Sequence, residues 1–261
     1  DYTWFNSGKK VVMVIKDFNY ADTAKSKIRV PYEINRYQFK QDYEGYLDNR
    51  KTHLYSFELA TKKLDTLTKG NYNESDLSIS SDGKMITYAS NVSASPDQND
   101  NASIFLLALG ASQTPIQLTT YKGSNHSPKF SPDNLSIAYL QASSEDAYDM
   151  YDLKQLAVID IKTKSIKLLT KNYDRSIDNI IWANDSKSIY ALVEDDRTQN
   201  IMQINASNGE VKSFTSVMAV YSALHINENG TMKANHFIKY CGVIKPETSG
   251  LLVRLCARSS L

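Results

Sequence analysis

The chain has 261 residues, of which 41% are hydrophobic, and its 30 basic and 29 acidic residues give a formal net charge of +1. This balance leaves no field of one sign that would attract nucleic acid or an anionic membrane, so neither class of partner is expected. No run of about 18 apolar residues occurs, and the sequence predicts no membrane-spanning helix. A cytoplasmic and a periplasmic location are both compatible with these features.

The first predicted strands show a unit that returns along the chain. In Trp4–Ile15 a large residue closes one strand, Asn, Ser and Gly form a tight turn, and an alternating apolar run starts the next strand. Worn copies occupy 79–89, 130–140 and 182–193. The turn residues bond their own backbone and tolerate positive φ, so each copy predicts a strand, a turn and a strand.

A second marker repeats in phase with the first. It is a Leu-Thr or Phe-Thr pair that ends at Thr68, Thr119, Thr170 and Thr215, with spacings of 51, 51 and 45 residues. Two further strand-like runs lie between the markers, which makes four strands per repeat. Such a repeat is typical of a β-propeller blade. The sequence therefore predicts an all-β propeller segment of about four four-stranded blades, incomplete at both ends. The predicted blades are 1–68, 76–119, 127–170 and 177–215, with the start of another at 217–230.

Three polar stretches interrupt this pattern. The longest is 16–50, whose middle is dense in aromatic and charged residues, and it either carries function or packs against its own blade. The loops 93–102 and 143–152 are rich in acidic and amide oxygens, but they lack the spacing of a calcium loop, and solvated loops are the favoured interpretation. The run Val193–Arg197 follows a strand directly. It is either a solvated hairpin turn or a cluster that faces the channel or a partner.

The pattern weakens after Thr215. Residues 219–224 resemble the opening strand of a fifth blade and 227–230 its turn, but no alternating strand is predicted to follow. Glu247 is the sole acidic residue after Gly230, and both cysteines, Cys241 and Cys256, lie there as free thiols or as one bridge. We interpret 231–261 as a tail outside the repeat, either the product of a shifted reading frame or a genuine C-terminus.

Motifs of catalysis are missing from the 261 residues. There is no G-x-S-x-G, H-E-x-x-H, G-x-G-x-x-G or phosphate-binding loop, and the four histidines have no paired spacing with the cysteines. His53 lies in a predicted strand, where a packed or edge position is favoured over a role as a base. No catalytic residue, cofactor or metal is predicted from the residues alone.

Several stretches resemble the N-terminal propeller of the prolyl oligopeptidase family of serine peptidases, in its dipeptidyl aminopeptidase/acylaminoacyl-peptidase branch. They include Arg36-Tyr-Gln-Phe-Lys, His53-Leu-Tyr, Ser80-Ser-Asp-Gly-Lys and Leu192-Val-Glu-Asp-Asp-Arg. The resemblance covers about residues 1–230. The Ser-Pro-Asp turn is shared with TolB-like propellers and is weakly specific.

This resemblance implies a two-part enzyme, in which a propeller of seven or eight blades caps an α/β-hydrolase domain with a Ser, Asp and His triad. No triad residue falls within this sequence, so the chain alone is expected to be inactive. The propeller would screen and contact the peptide substrate, and the candidates for facing the space between the domains are Arg36, Tyr37, Glu194, Asp195 and Arg197. A stand-alone TolB-like binding scaffold and an enzyme that has lost its hydrolase domain remain alternatives. Open blade edges would also favour self-association.

Overall fold

The computed structural model describes residues 1–18, 33–110, 114–146, 149–215 and 219–238. These residues form strands and turns, and none of their segments is a helix able to cross a membrane. The first ten strands are β1 Tyr2–Trp4, β2 Lys10–Lys16, β3 Lys40–Gln41, β4 Gly45–Tyr46, β5 Thr52–Glu58, β6 Lys63–Thr66, β7 Glu74–Ile79, β8 Met85–Ser90, β9 Ser103–Ala108 and β10 Ile116–Gln117. The other ten are β11 Asn125–Phe130, β12 Ser136–Ala142, β13 Lys154–Asp160, β14 Ile166–Leu168, β15 Ile177–Trp182, β16 Ser188–Asp195, β17 Thr198–Asn205, β18 Val211–Ser213, β19 Ala219–Ile226 and β20 Met232–Ile238.

The strands form four antiparallel sheets in chain order, which confirms the predicted propeller architecture. Blade 1 has the order β1-β2-β5-β6, blade 2 β7-β8-β9-β10, blade 3 β11-β12-β13-β14, and blade 4 β15-β16-β17-β18. We call the four strands of each blade A to D. The hairpin β3-β4 forms a separate small sheet within the connection between strands B and C of blade 1.

The A–B turns have the chemistry that their sequence predicts. In blade 3, the Ser131 hydroxyl accepts the backbone N–H of Ser136 at 2.9 Å, and Asp133 Oδ1 accepts that of Leu135 at 3.0 Å. The turn closes with Asn134 at φ 61°, a left-handed conformation that Asn tolerates. Gly83 takes the same position in blade 2, with φ 70°.

The Leu-Thr marker also has a structural cause. In each blade, the threonine hydroxyl accepts a backbone N–H from strand C just where strand D departs from it. The bonds join Leu54 N to Thr68 Oγ1 at 2.9 Å, Ile104 N to Thr119 Oγ1 at 2.9 Å, Leu156 N to Thr170 Oγ1 at 2.8 Å, and Ile201 N to Thr215 Oγ1 at 3.0 Å. The hydroxyl thus satisfies a buried donor that the ladder can no longer serve.

The A strands of blades 2, 3 and 4, and strand β19, each carry a bulge at the same place. The register shifts after Ser75, His126, Asp178 and Ser222, and the next residue has positive φ in every case: Asp76, Ser127, Asn179 and Ala223. In the first two, the bulges are linked, because Asp76 Oδ2 accepts the backbone N–H of Ser127 at 3.1 Å. A bulge increases the local twist, so neighbouring A strands curve alike.

The core consists of layers between successive blades. The seam between blades 1 and 2 buries Val12 and Leu54 against Leu77, Ile86 and Leu107. Equivalent layers of aliphatic and aromatic residues fill the following seams. Among the described strands, blade-to-blade contacts join only neighbours in chain order, as expected for a repeat array.

The two ends of the array differ because antiparallel strands alternate in direction. The A–B and C–D connections lie at one end, which we call the turn end. The B–C and D–A connections lie at the other, the loop end. At the turn end, successive A–B turns are hydrogen-bonded to each other. The links are Asn6 Nδ2 to Ser81 O at 2.6 Å, Ser81 N to Asn134 Oδ1 at 2.7 Å, Asp133 N to Ser186 Oγ at 3.2 Å, and Asn184 Nδ2 to Asn227 O at 3.0 Å.

The strand pattern continues past residue 230, which corrects the expectation that no strand follows that turn. Strand β20 pairs antiparallel with β19, and Met232 and Ala234 are buried while Lys233 and Asn235 are exposed. The two strands form the start of a fifth blade, which meets blade 4 through a parallel pairing of Gln199 with Val220. The predictions for 239–261, with both cysteines, lie outside the described residues.

Candidate functional site

The predicted candidate residues all lie at the loop end of the array. Arg36 belongs to the insertion in the B–C connection of blade 1 and contacts the B–C loop of blade 2. Its Nε and Nη2 donate to Asp97 Oδ2 and Oδ1 at 3.3 and 3.1 Å, and its Nη1 donates to the backbone carbonyl of Asp48 at 2.8 Å. Its side chain is 15% exposed. Arg36 therefore ties the insertion to blade 2, and its guanidinium has little surface left for a ligand.

Tyr37, the neighbouring candidate, is free to contact another molecule. Its side chain is 65% exposed, and Phe39, Tyr43 and Tyr46 of the same insertion are also exposed. Phe39 stacks on Tyr46 across the β3-β4 hairpin, with ring centroids 6.4 Å apart. Of the two alternatives for the insertion, the exposure of these rings favours a functional role over packing against its own blade.

The charged run at the end of β16 forms the tight B–C hairpin of blade 4. Asp196 and Arg197 occupy the turn with φ of 41° and 62°. Glu194, Asp195 and Arg197 line a depression of ≈ 440 Å³ together with Arg175, which comes from the D–A connection before blade 4. Arg175 Nε donates to Asp195 Oδ1 at 2.7 Å, while Arg197 is 90% exposed at its side chain.

The candidates thus form two groups on different blades. Arg36 and Tyr37 lie at the seam of blades 1 and 2, and Glu194, Asp195 and Arg197 lie on blade 4. Sequence reasoning missed Arg175, although a signal existed: D–A connections leave a blade at the same end as B–C connections, and 171–175 is one of the polar ones.

The polar loop of blade 2 is held by its own amides. Asn99 Oδ1 accepts bonds from Asn91 Nδ2 at 3.0 Å and from Asn101 N at 3.0 Å, and Asn99 Nδ2 donates to Ser95 O at 2.7 Å. Within the described ranges, no group of three or more His, Cys, Asp or Glu side chains has the arrangement of a metal site.

Sequence reasoning also missed a buried polar row in the seam of blades 1 and 2. His53 is 4% exposed, which confirms its packed position, and its Nδ1 lies 2.8 Å from Oε2 of the buried Glu74. The same oxygen accepts the Thr68 hydroxyl at 2.9 Å, and on the other side His53 Nε2 lies 3.6 Å from Asp17 Oδ2. Burial raises the pKa of Glu74 above its usual value, although the bonds from His53 and Thr68 oppose that rise.

Comparison with known proteins agrees with this architecture. No protein-family model matches the chain. Dipeptidyl-peptidase 5 of Porphyromonas gingivalis is 30% identical over 163 residues, which are 62% of this chain and 24% of that protein. Among solved structures, the acylaminoacyl peptidase of Pyrococcus horikoshii superposes with a TM-score of 0.62 at 12% identity, over 87% of this chain and 33% of that one. The chain is a β-propeller segment that is similar to the propeller part of prolyl oligopeptidase-type peptidases.

TolB-like propellers share the fold of this chain. TolB of Acinetobacter baumannii superposes with a TM-score of 0.54 at 16% identity, over 88% of this chain and 47% of that one. At this identity the likeness concerns the fold alone. The chain spans a quarter or less of the length of the curated relatives it matches, so their activity as whole proteins does not transfer directly to it.

Proposed function

We propose that this chain is the non-catalytic, substrate-contacting propeller portion of a serine peptidase of the dipeptidyl-peptidase type. The observation that carries the proposal is the similarity to dipeptidyl-peptidase 5, combined with the exposure of Tyr37, Glu194 and Arg197 at the loop end. In this role the loop end faces an α/β-hydrolase domain, and its side chains contact peptides that pass between the two parts.

The exposed side chains suit such contacts. Tyr37 offers a large amphipathic surface, and the Glu194–Arg197 hairpin offers charges of both signs to a peptide's termini and backbone. Asp195 is already paired with Arg175, and Arg36 with Asp97, so these two candidates support their neighbours. The tether at Arg36 keeps Tyr37 and its insertion next to blade 2.

Peptide binding to the chain itself tests the proposal. A fluorescent tetrapeptide library is titrated against the protein, with fluorescence polarisation as the readout. We expect Tyr37→Ala and Arg197→Ala each to weaken binding by about threefold to tenfold, as for the loss of an exposed contact. Leu135→Ala is the matched control, because Leu135 is 64% exposed in an A–B turn at the opposite end.

Two results would contradict the proposal. One is peptide binding that responds to Leu135→Ala as much as to the loop-end variants. The other is stoichiometric labelling of a serine in the folded chain by a fluorophosphonate probe, which would place the chemistry in this segment.

A stand-alone binding scaffold of the TolB type is the second candidate, and the shared fold favours it. It predicts capture of a folded protein partner, with the peptide library left unbound.

A further inference from the structure

A cavity in the seam of blades 1 and 2 lies beside the depression that Arg36 and Tyr37 line, and other residues line it. Its volume is ≈ 500 Å³, within the usual range for small-molecule pockets. Blade 1 contributes Thr66, Leu67 and Thr68, and blade 2 contributes Glu74, Tyr88 and Phe105. Tyr72 and Val92 line both this cavity and the depression beneath the insertion, so the two spaces are neighbours.

Two oxygens of the residues that line the cavity have no hydrogen-bond partner among the described residues. Both hydrogen bonds to the Glu74 carboxyl converge on Oε2, and none to Oε1 is found among the described residues. Tyr88 is 3% exposed, and its hydroxyl has no hydrogen-bond partner within the described part of the chain. Neither oxygen is sealed from solvent, because Asn125 Oδ1 is the sole buried side-chain polar atom without a partner among the described residues. A ligand in the cavity can therefore replace water at both oxygens.

The equivalent place between blades 2 and 3 shows that this arrangement is not imposed by the repeat. Tyr139 of blade 3 occupies the position equivalent to Tyr88, which precedes it by 51 residues. The Tyr139 hydroxyl, however, donates to Gln141 Oε1 at 3.1 Å. Ser90 takes the position of Gln141 in blade 2, and its hydroxyl donates to the backbone carbonyl of Asn73 at 2.8 Å. The shorter side chain leaves both the Tyr88 hydroxyl and the space open.

The charged groups of the seam favour a positively charged ligand. The carboxyls of Asp17 and Glu74 flank the single imidazole of His53, so the row is acidic even when His53 is protonated. Lys69 also lines the cavity, but its side chain is exposed. The rings of Tyr88 and Phe105, stacked with centroids 5.5 Å apart, form an aromatic wall.

From this geometry we infer that the seam cavity binds a primary ammonium group carried on an aromatic or other apolar body. The ammonium donates to Glu74 Oε1 and to the Tyr88 hydroxyl, and the apolar body packs on Tyr72 and Phe105. This inference does not depend on the proposed function, because it concerns a different cavity and needs no hydrolase domain.

The test uses the complete chain and three probes of one shape: 2-phenylethylammonium, neutral 2-phenylethanol and anionic 3-phenylpropionate. Isothermal titration calorimetry is expected to show saturable 1:1 binding of the ammonium at ~1 mM or tighter, with the neutral and anionic probes at least about tenfold weaker. Glu74→Gln is expected to weaken ammonium binding at least about tenfold and Tyr88→Phe about threefold to tenfold. Tyr139→Phe, the matched control, is expected to leave it unchanged.

The inference is overturned by equal binding of 2-phenylethanol and the ammonium, by no binding of the ammonium, or by a response to Tyr139→Phe equal to that of Tyr88→Phe. Near-ultraviolet circular dichroism checks that Glu74→Gln folds. If that variant does not fold, Tyr88→Phe decides, because it removes one oxygen and keeps the ring.

Discussion

The seams on either side of blade 2 are built on one plan and differ in their chemistry. In both, a threonine hydroxyl accepts a strand-C backbone N–H, at Thr68 in the first and Thr119 in the second. In the first, the A strand then supplies Glu74, which bonds His53 and Thr68. In the second it supplies Asn125, whose Nδ2 donates to the carbonyls of Ala102, Tyr121 and Gly123 at 2.7, 3.3 and 3.1 Å. The bond from the threonine hydroxyl to the strand-C backbone is common to both seams. The residue at the first position of the A strand, Glu74 or Asn125, decides whether the seam contains an ionisable group.

The largest effect is expected from giving the second seam the charge of the first. Asn125→Asp places a carboxylate among three carbonyls, and the partner that His53 gives Glu74 is lacking, since Ser103 stands at the position equivalent to His53. We expect it to lower the free energy of unfolding by about 3–5 kcal/mol at pH 7. Urea denaturation measures this, and part of the loss should be recovered at pH 4, where the carboxyl is protonated. An equal loss at both pH values would contradict the charge explanation.

Removing the shared hydroxyl is expected to have the next largest effect. Thr119→Val leaves the buried Ile104 N–H without an acceptor, which costs about 1–3 kcal/mol. Thr68→Val also removes a donor from the Glu74 carboxyl, so we expect about 2–4 kcal/mol. The midpoints of urea unfolding rank the two variants. A Thr119→Val variant that loses more stability than Thr68→Val would show that Glu74 gains nothing from Thr68.

A smaller difference is expected at the two equivalent tyrosines. Tyr139→Phe loses the hydrogen bond to Gln141 and should cost about 0.5–1.5 kcal/mol. Tyr88→Phe removes a hydroxyl without a partner among the described residues, so its cost should lie within about 0.5 kcal/mol of zero. Thermal unfolding of the two variants under one set of conditions makes the comparison. Equal losses would mean that the Tyr88 hydroxyl is hydrogen-bonded as well as the Tyr139 hydroxyl is.

The smallest effect is a dependence of the free energy of unfolding on pH that arises from Glu74 in the first seam. Burial raises the pKa of Glu74 above its ordinary 4.5, so over a pH interval that starts there the native state holds a proton that the unfolded chain has released. The free energy of unfolding therefore falls as pH rises through that interval. Glu74→Gln removes this contribution, so stability of the wild type relative to the variant should decrease as pH rises from 4 to 7. Urea denaturation of both proteins at each pH measures the difference between their free energies of unfolding. Groups that titrate alike in both proteins cancel from this difference. A difference that stays constant with pH would contradict the raised pKa of Glu74.

The sequence predicts what local chemistry determines. The turn at 131–134 and the Leu-Thr pairs were readable because each is a short pattern with one geometric use, and their period of 51 residues predicts the blades. The strand at Met232–Ile238 was missed because its alternation, Met-Lys-Ala-Asn, is weakly apolar and its second buried residue is only an alanine. The pairing that reveals it involves the strand before it.

The sites depend on contacts that no local pattern records. His53 and Glu74 are 21 residues apart and meet across a seam, while Arg36 and Asp97 meet over 61 residues. Arg36 was singled out for a role toward substrate, yet its guanidinium is engaged with Asp97 and the Asp48 carbonyl. The exposure of Tyr37 and Arg197 agrees with the predicted role of these residues, which only binding experiments test.

The hydrogen-bonded row of A–B turns holds the blades together at the turn end and allows rotation of one blade against the next about that row. The turns are joined at Asn6–Ser81 and Ser81–Asn134, so a rotation of one blade against the next about this row changes those distances least. The same rotation changes distances most at the opposite end, where the seam cavity and the insertion lie. Between blades 1 and 2, the Arg36–Asp97 pair spans that wide end and limits how far the two blades can spread.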